Sequence, residues 1–160
     1  MQHTKPVILF DIDYTLFDTA FFKQSGLSEH KIYSEVMQVL DSLSAIATLG
    51  IFSEGNLNFQ KIKLQKTGIG KYFEQKNTHI VLNKLDELRS IHNRYKDVTT
   101  FFVDDKLSIL FDAKKMFPEI FVIWVKRGFY AENQEPILGF KPDAEIGSLS
   151  EIVRIIRNSA

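Results

Sequence analysis

Two apolar runs, each passing directly into aspartate, constrain this chain more than any other feature in it. Val7-Ile8-Leu9-Phe10 leads into Asp11, and Thr99-Thr100-Phe101-Phe102-Val103 leads into Asp104-Asp105. A short run that is apolar at nearly every position, rather than at alternate ones, reads as a strand buried on both faces of a parallel sheet. Ile120-Phe121-Val122-Ile123-Trp124-Val125 is a third such run, and shorter candidates lie at Leu49 to Phe52 and His79 to Leu82. All are rich in the β-branched and aromatic side chains that fit a pleated, buried surface.

Stretches with helical spacing separate these runs. Ser28 to about Ala47 places Ile32, Val36, Val39, Leu40 and Leu43 on one stripe, with Ser28 as the N-cap. Asn56 to Thr67 stops at Gly68, Lys84 to Tyr95 carries Leu85, Leu88, Ile91 and Tyr95, and Leu107 to Phe117 is closed by Pro118. Ser148 and Glu151 are spaced as a capping box for a last helix running to Arg157. Strands alternating with helices predict crossover units on a parallel sheet, and hence an α/β layered fold. Ligands of such folds gather outside the carboxyl ends of the strands, where several strands here deliver polar residues.

The length, 160 residues, suits one domain with one core. Twenty basic residues balance twenty acidic ones, so no net field exists to hold a nucleic acid, and none is expected as a partner. Val7 to Phe10 is too short for a signal-peptide core or a membrane span, which makes a cytoplasmic location the default and a membrane partner unexpected. With no cysteine, disulfides, thiolate zinc sites and cysteine nucleophiles are excluded, so any metal must be held by oxygen or imidazole. The four histidines, His3, His30, His79 and His92, show no metal-ligand spacing.

Asp11 and Asp13 project where the chain leaves its first strand. A lone pair of acids there is an ordinary acidic turn, but a second strand finishing in Asp104-Asp105 is hard to explain by turn chemistry alone. Like charges converging on one site repel, and a bound cation makes them tolerable. Ser53, Glu54 and Gly55 follow a third strand and precede a helix start, an arrangement that can cradle phosphate, although alone it would pass for a capped turn. Lys84 adds a cation at the start of a helix, and taken singly it reads as a surface lysine.

In this order, the four elements resemble the motifs of the haloacid dehalogenase-like superfamily. Asp11-Ile12-Asp13-Tyr14-Thr15 is similar to its first motif, Ser53 to the second, Lys84 to the third and Asp104-Asp105 to the fourth. Thr67 to Phe73 resembles the stretch before the family's third strand, and Pro142 through Ile156 its closing strand and helix. The sequence departs from the pattern at Tyr14, where glycine is frequent, and at Glu54, where a small polar residue is usual. Lys84 lacks the following proline, which keeps Lys76 as a weaker candidate, and Ile109 stands where an acid often lies four positions after Asp105.

The resemblance implies a three-layer α/β/α Rossmann-like sheet in a single domain over residues 1–160, with a minimal helical cap inserted at about 17–47. It implies a magnesium-dependent phosphatase in which Asp11 attacks phosphorus to form an aspartyl-phosphate. Asp13 would act as general acid and then base, Lys84 would supply positive charge, and Ser53, Glu54, Gly55 and Thr15 would hold the phosphoryl group or steady the loop. Magnesium would be held by Asp11, the Asp13 carbonyl and Asp105, with Asp104 beside it. Superfamily dehalogenases generally lack an acid at the second position, so Asp13 favours phosphotransfer. The substrate is expected to be a phosphorylated small molecule or, through so open a site, a phosphoprotein; closure by a homo-oligomer partner is the other expectation. Transfer to an acceptor other than water, or a non-catalytic binding module, are the alternatives.

Overall fold

The computed structural model describes residues 4–159. Its chain order is β1 (Val7–Phe10), α1 (Thr19–Gln24), α2 (Val36–Ser44), β2 (Thr48–Glu54), α3 (Leu57–Lys66), β3 (Thr78–Val81) and α4 (Lys84–Tyr95). There follow β4 (Thr100–Asp104), α5 (Leu107–Met116), β5 (Phe121–Val125), α6 (Phe129–Glu132), β6 (Ala144–Ile146) and α7 (Ile152–Ser159).

The six strands form one sheet in the order β3-β2-β1-β4-β5-β6, and every neighbouring pair is parallel. Residues of β1 alternate between two apolar layers. Ile8 and Phe10 pack with Val36, Leu40 and Leu43 of α2 and with Ile152 and Ile156 of α7. Val7 and Leu9 pack on the other face with Leu88 and Ile91 of α4 and Leu107 and Leu110 of α5. Burial on both sides is why the strand is apolar at each position. The result is the three-layer, Rossmann-like arrangement expected from the sequence. Among the described residues no helix is long and apolar enough to cross a membrane.

The expected helix from Ser28 to Ala47 forms only over Val36–Ser44. Residues upstream are drawn into an extended flap instead. Asp18 N–H donates to the Lys31 carbonyl at 2.8 Å, Tyr33 N–H donates to Leu16 O at 3.2 Å, and Phe17 bridges Ile32 antiparallel. Burial of Phe17 against Phe22 and His30 holds this pairing, so tertiary contact overrides the helical stripe at Ile32. Elsewhere boundaries move by a residue or two. Asn56 caps α3 by accepting from Phe59 N–H at 3.1 Å, and the Ser148–Glu151 capping box is present. The short helices α1 and α6 have no counterpart in the sequence reading.

The chain runs outward from β1 through β2 to β3, then returns to lay β4 on the other side of β1. This reversal opens a crevice at the carboxyl ends of β1 and β4, where the two acidic strand ends lie.

Candidate active site

Asp11 follows β1, and its N–H donates to the Val103 carbonyl of β4 at 2.9 Å. This bond brings the two strand ends together, so Asp11, Asp104 and Asp105 each offer an oxygen lying within 4.8 Å of the others. All three are buried. Among the described residues Lys84, itself 2% exposed, is the single ammonium inside the cluster, 2.9 Å from Asp11 Oδ1 and 2.6 Å from Asp104 Oδ2. Burial alone would depress that ammonium, but the Asp104 and Asp11 carboxylates outweigh it and hold its pKa above the ordinary lysine range.

One cation does not neutralise three acids. The second oxygen of Asp104 accepts the Lys106 N–H at 2.9 Å, whereas neither carboxylate oxygen of Asp105 has a hydrogen-bond partner. Burial, reinforced by the Asp11 and Asp104 charges, pushes Asp105 up to about 10. Burial likewise raises Asp104, against the pull of Lys84. A buried, unpartnered carboxyl among other acids is the donor set of a hard divalent cation, so the residues present fit magnesium. The Asp105 backbone is fixed from below, because Trp124 Nε1–H donates to its carbonyl at 2.9 Å.

Asp13 stands apart from this cluster. Its side chain is committed to other elements: Lys63 Nζ lies 2.7 Å from Oδ1, Gln60 Nε2–H donates to Oδ2 at 2.9 Å, and the Thr19 hydroxyl donates to Oδ1 at 2.9 Å. Burial would raise the carboxyl, yet Lys63, followed by these hydrogen bonds, holds it below its usual value. Its expected metal-ligand atom is the backbone carbonyl, which leaves the carboxylate free for this arrangement.

The second amide hydrogen of Gln60 goes to Ser53 Oγ, also at 2.9 Å. Ser53 and Thr15 are fully buried and line no part of the cavity above Asp11, so both lie beneath the surface a substrate would meet. Ser53 Oγ is occupied by Gln60, and the Thr15 hydroxyl is buried without a partner. Thr15 instead contributes its carbonyl, which accepts from the Arg127 guanidinium. Glu54 and Gly55 do line the cavity, but the Glu54 carboxylate also accepts the Lys84 N–H at 2.9 Å, tying β2 to the start of α4. Lys76 lies on the surface, paired with Glu74 at 3.1 Å, and takes no part.

The cavity above Asp11 measures about 430 Å³ and is lined by Asp13, Tyr14, Lys63, Lys84, Lys106 and Tyr130 among others. Tyr14 takes φ 59, the left-handed conformation in which glycine is at ease. Packing compensates here. A Cβ at Gly128 would meet the Tyr14 ring at 2.3 Å, so the absence of a side chain at 128 makes room for the tyrosine. Tyr130 meets the same ring edge-on at 5.9 Å.

Gln60, Lys63 and Thr19 were missed by sequence reasoning. A signal existed on α3, where Leu57, Phe59, Ile62 and Leu64 make no single stripe while Gln60 and Lys63 sit three apart on one face.

No protein-family model matches the sequence, and no curated protein sequence matches it either. Solved structures do. A haloacid dehalogenase-like hydrolase from Burkholderia xenovorans is 18% identical with a TM-score of 0.80, covering 98% of each chain. A hydrolase of the same kind from Bacillus subtilis, YfnB, determined bound to magnesium, is 11% identical with a TM-score of 0.67, over 97% of this chain and 99% of that one. The L-2-haloacid dehalogenase of Xanthobacter autotrophicus is 16% identical with a TM-score of 0.70, over 98% and 99%. The chain has the haloacid dehalogenase-like hydrolase fold.

Proposed function

We propose that this protein is a magnesium-dependent phosphatase that cleaves a phosphomonoester through an aspartyl-phosphate on Asp11. One observation carries the reading: Asp11, Asp104 and Asp105 converge around a single lysine and leave one buried carboxyl without a partner, 4.8 Å or less between their offered oxygens. Such a cluster suits chemistry in which a cation and a phosphoryl group share the site. The neighbouring folds include a dehalogenase and a magnesium-bound hydrolase; the acid at position 13 favours phosphoryl transfer over carbon–halogen cleavage.

Asp11, Asp104, Asp105 and the Asp13 carbonyl would hold the ion, and bound magnesium supplies positive charge that neutralises the phosphoryl oxygens. Lys84 Nζ adds its own charge and aims Asp11 by the 2.9 Å contact. An Asp11 oxygen attacks phosphorus as the bond to the alcohol oxygen breaks. Asp13, which Lys63 holds below its usual value in the free protein, takes up a proton as the phosphate ester binds and passes it to that departing oxygen; the carboxylate so left takes a proton from the water that attacks phosphorus and returns Asp11 to a free carboxylate.

Phosphate release from an aryl phosphate, with magnesium and then with a chelator, tests the reading in the parent and in Asp11→Asn. Metal-dependent turnover lost in the variant supports it. Turnover equal in parent and variant removes Asp11 as the nucleophile.

A further inference from the structure

A second recess opens beside the phosphoryl site. It encloses about 360 Å³ between the flap and α3, walled by Phe22, Leu27, His30, Phe59 and Ile62 together with two lysines, Lys63 and Lys66. The two cavities share Phe22, Leu27 and Lys63 as lining, so a group in the recess lies next to a phosphoryl group at Asp11. Its volume falls at the small end of ligand pockets, enough for an aromatic ring system. The Phe22 and His30 rings, 4.8 Å apart, form one wall of the recess. Burial, with the Lys66 and Lys63 charges, lowers the His30 imidazole from its ordinary value.

Leu27 points the same way for a different reason. It adopts φ 64 and is 62% exposed. A left-handed conformation is costly for a residue with a side chain, and an exposed leucine recovers little of that cost by burial. Gly26, just before it, is also left-handed at φ 69, so the turn alone would be better served by a second glycine or an asparagine. Strain of this kind, at the rim shared by both cavities, is expected where a side chain is presented to a ligand. Phe59, 67% exposed, faces the same recess from α3.

We infer that this recess binds the alcohol half of the substrate, which makes the substrate a phosphomonoester of an aromatic or comparably bulky apolar alcohol. The inference rests on the phosphatase reading for the phosphoryl half alone.

The test uses two non-hydrolysable probes, 1-naphthylphosphonate and methylphosphonate, bound by titration calorimetry with magnesium present to the parent, Leu27→Gly and Phe59→Ser. The parent should prefer the naphthyl compound, and each variant should lose roughly tenfold of that preference, the order expected for a lost apolar contact. Leu27→Gly should meanwhile unfold at the same or higher denaturant concentration than the parent, since glycine relieves the backbone; a merely structural leucine would lower it. If neither 1-naphthyl phosphate nor methyl phosphate is hydrolysed while this binding pattern holds, the recess stands and the phosphatase reading falls. Equal binding of the two phosphonates by the parent, binding of neither, or a preference surviving in both variants overturns the recess.

Discussion

Lys63 of α3 places its ammonium 2.7 Å from Asp13 Oδ1, with the lysine side chain 12% and the aspartate side chain 27% exposed. Because the pair is half-buried, the lysine governs the ionisation of a residue assigned an acid and base role. Replacing it with methionine should move the low-pH limb of kcat for aryl phosphate hydrolysis to higher pH, as the carboxyl relaxes upward. The same pair contributes stability that is present above the ordinary carboxylate range and lost as pH falls through the depressed value of the folded protein. The stability gap between the parent and Lys63→Met should therefore be widest near neutrality and close in acid, as followed by denaturation at a series of pH values.

Gln60 holds Asp13 and Ser53 with one amide group, at 2.9 Å to each. Gln60→Leu fills similar space but leaves the buried Ser53 hydroxyl unpaired and removes a donor from Asp13. A loss of about 1–3 kcal/mol in chemical denaturation is expected, the penalty of an unsatisfied buried polar group. Activity should fall in the same variant, and a Gln60→Leu, Ser53→Ala double variant should recover part of the stability without recovering activity.

Asp105 is held protonated near neutrality by burial and by its acidic neighbours, with a value of about 10. In the metal-free protein the folded state then binds more protons than the unfolded state between the ordinary carboxylate range and pH ~10, so metal-free stability should decline as pH rises through that window. Magnesium binding must displace this proton. Calorimetry in buffers of different ionisation enthalpy should show proton release on binding near neutral pH, and affinity should rise with pH. Asp105→Asn should abolish the proton release and weaken magnesium binding.

Gly128 and Tyr14 are matched in shape: a Cβ at 128 would lie 2.3 Å from Cδ1 and 2.6 Å from Cγ of the tyrosine. Gly128→Ala also meets a φ of 83, so overpacking and backbone strain add, and a loss of about 2–4 kcal/mol is expected. Combining it with Tyr14→Gly should restore part of that loss, because the second change removes the obstructing ring. Urea midpoints of the single and double variants check this.

The parts of the site carried by strand ends were legible. Asp11, Asp104 and Asp105 stand where apolar runs stop, and a parallel sheet brings such ends to one edge whatever the loops do. Lys84 was legible as a helix start, since α4 spans Lys84–Tyr95. Contacts that depend on how a helix is rotated against the sheet were not. Gln60 and Lys63 reach Asp13 across 47 and 50 residues of chain, and nothing local in the sequence fixes that rotation. The flap was misread for a related reason: the stripe at Ile32 through Leu43 is helical in spacing, but Phe17 captures Ile32 in a bridge and Tyr33 stacks under Arg127, 3.6 Å from the ring centre. Ser53 and Thr15 were placed by motif at the right strand end and loop, yet only three-dimensional packing shows that their hydroxyls face inward.

The central claim is that Asp11 carries the phosphoryl group, and trapping tests it most directly. The parent, mixed with an aryl phosphate and magnesium, would be quenched in acid during turnover, reduced with borohydride and mapped by peptide mass spectrometry. Conversion of Asp11 to homoserine, dependent on both substrate and magnesium, is the predicted result. Continued phosphate release with Asp11 unmodified, or the modification appearing on another carboxylate, would contradict the account.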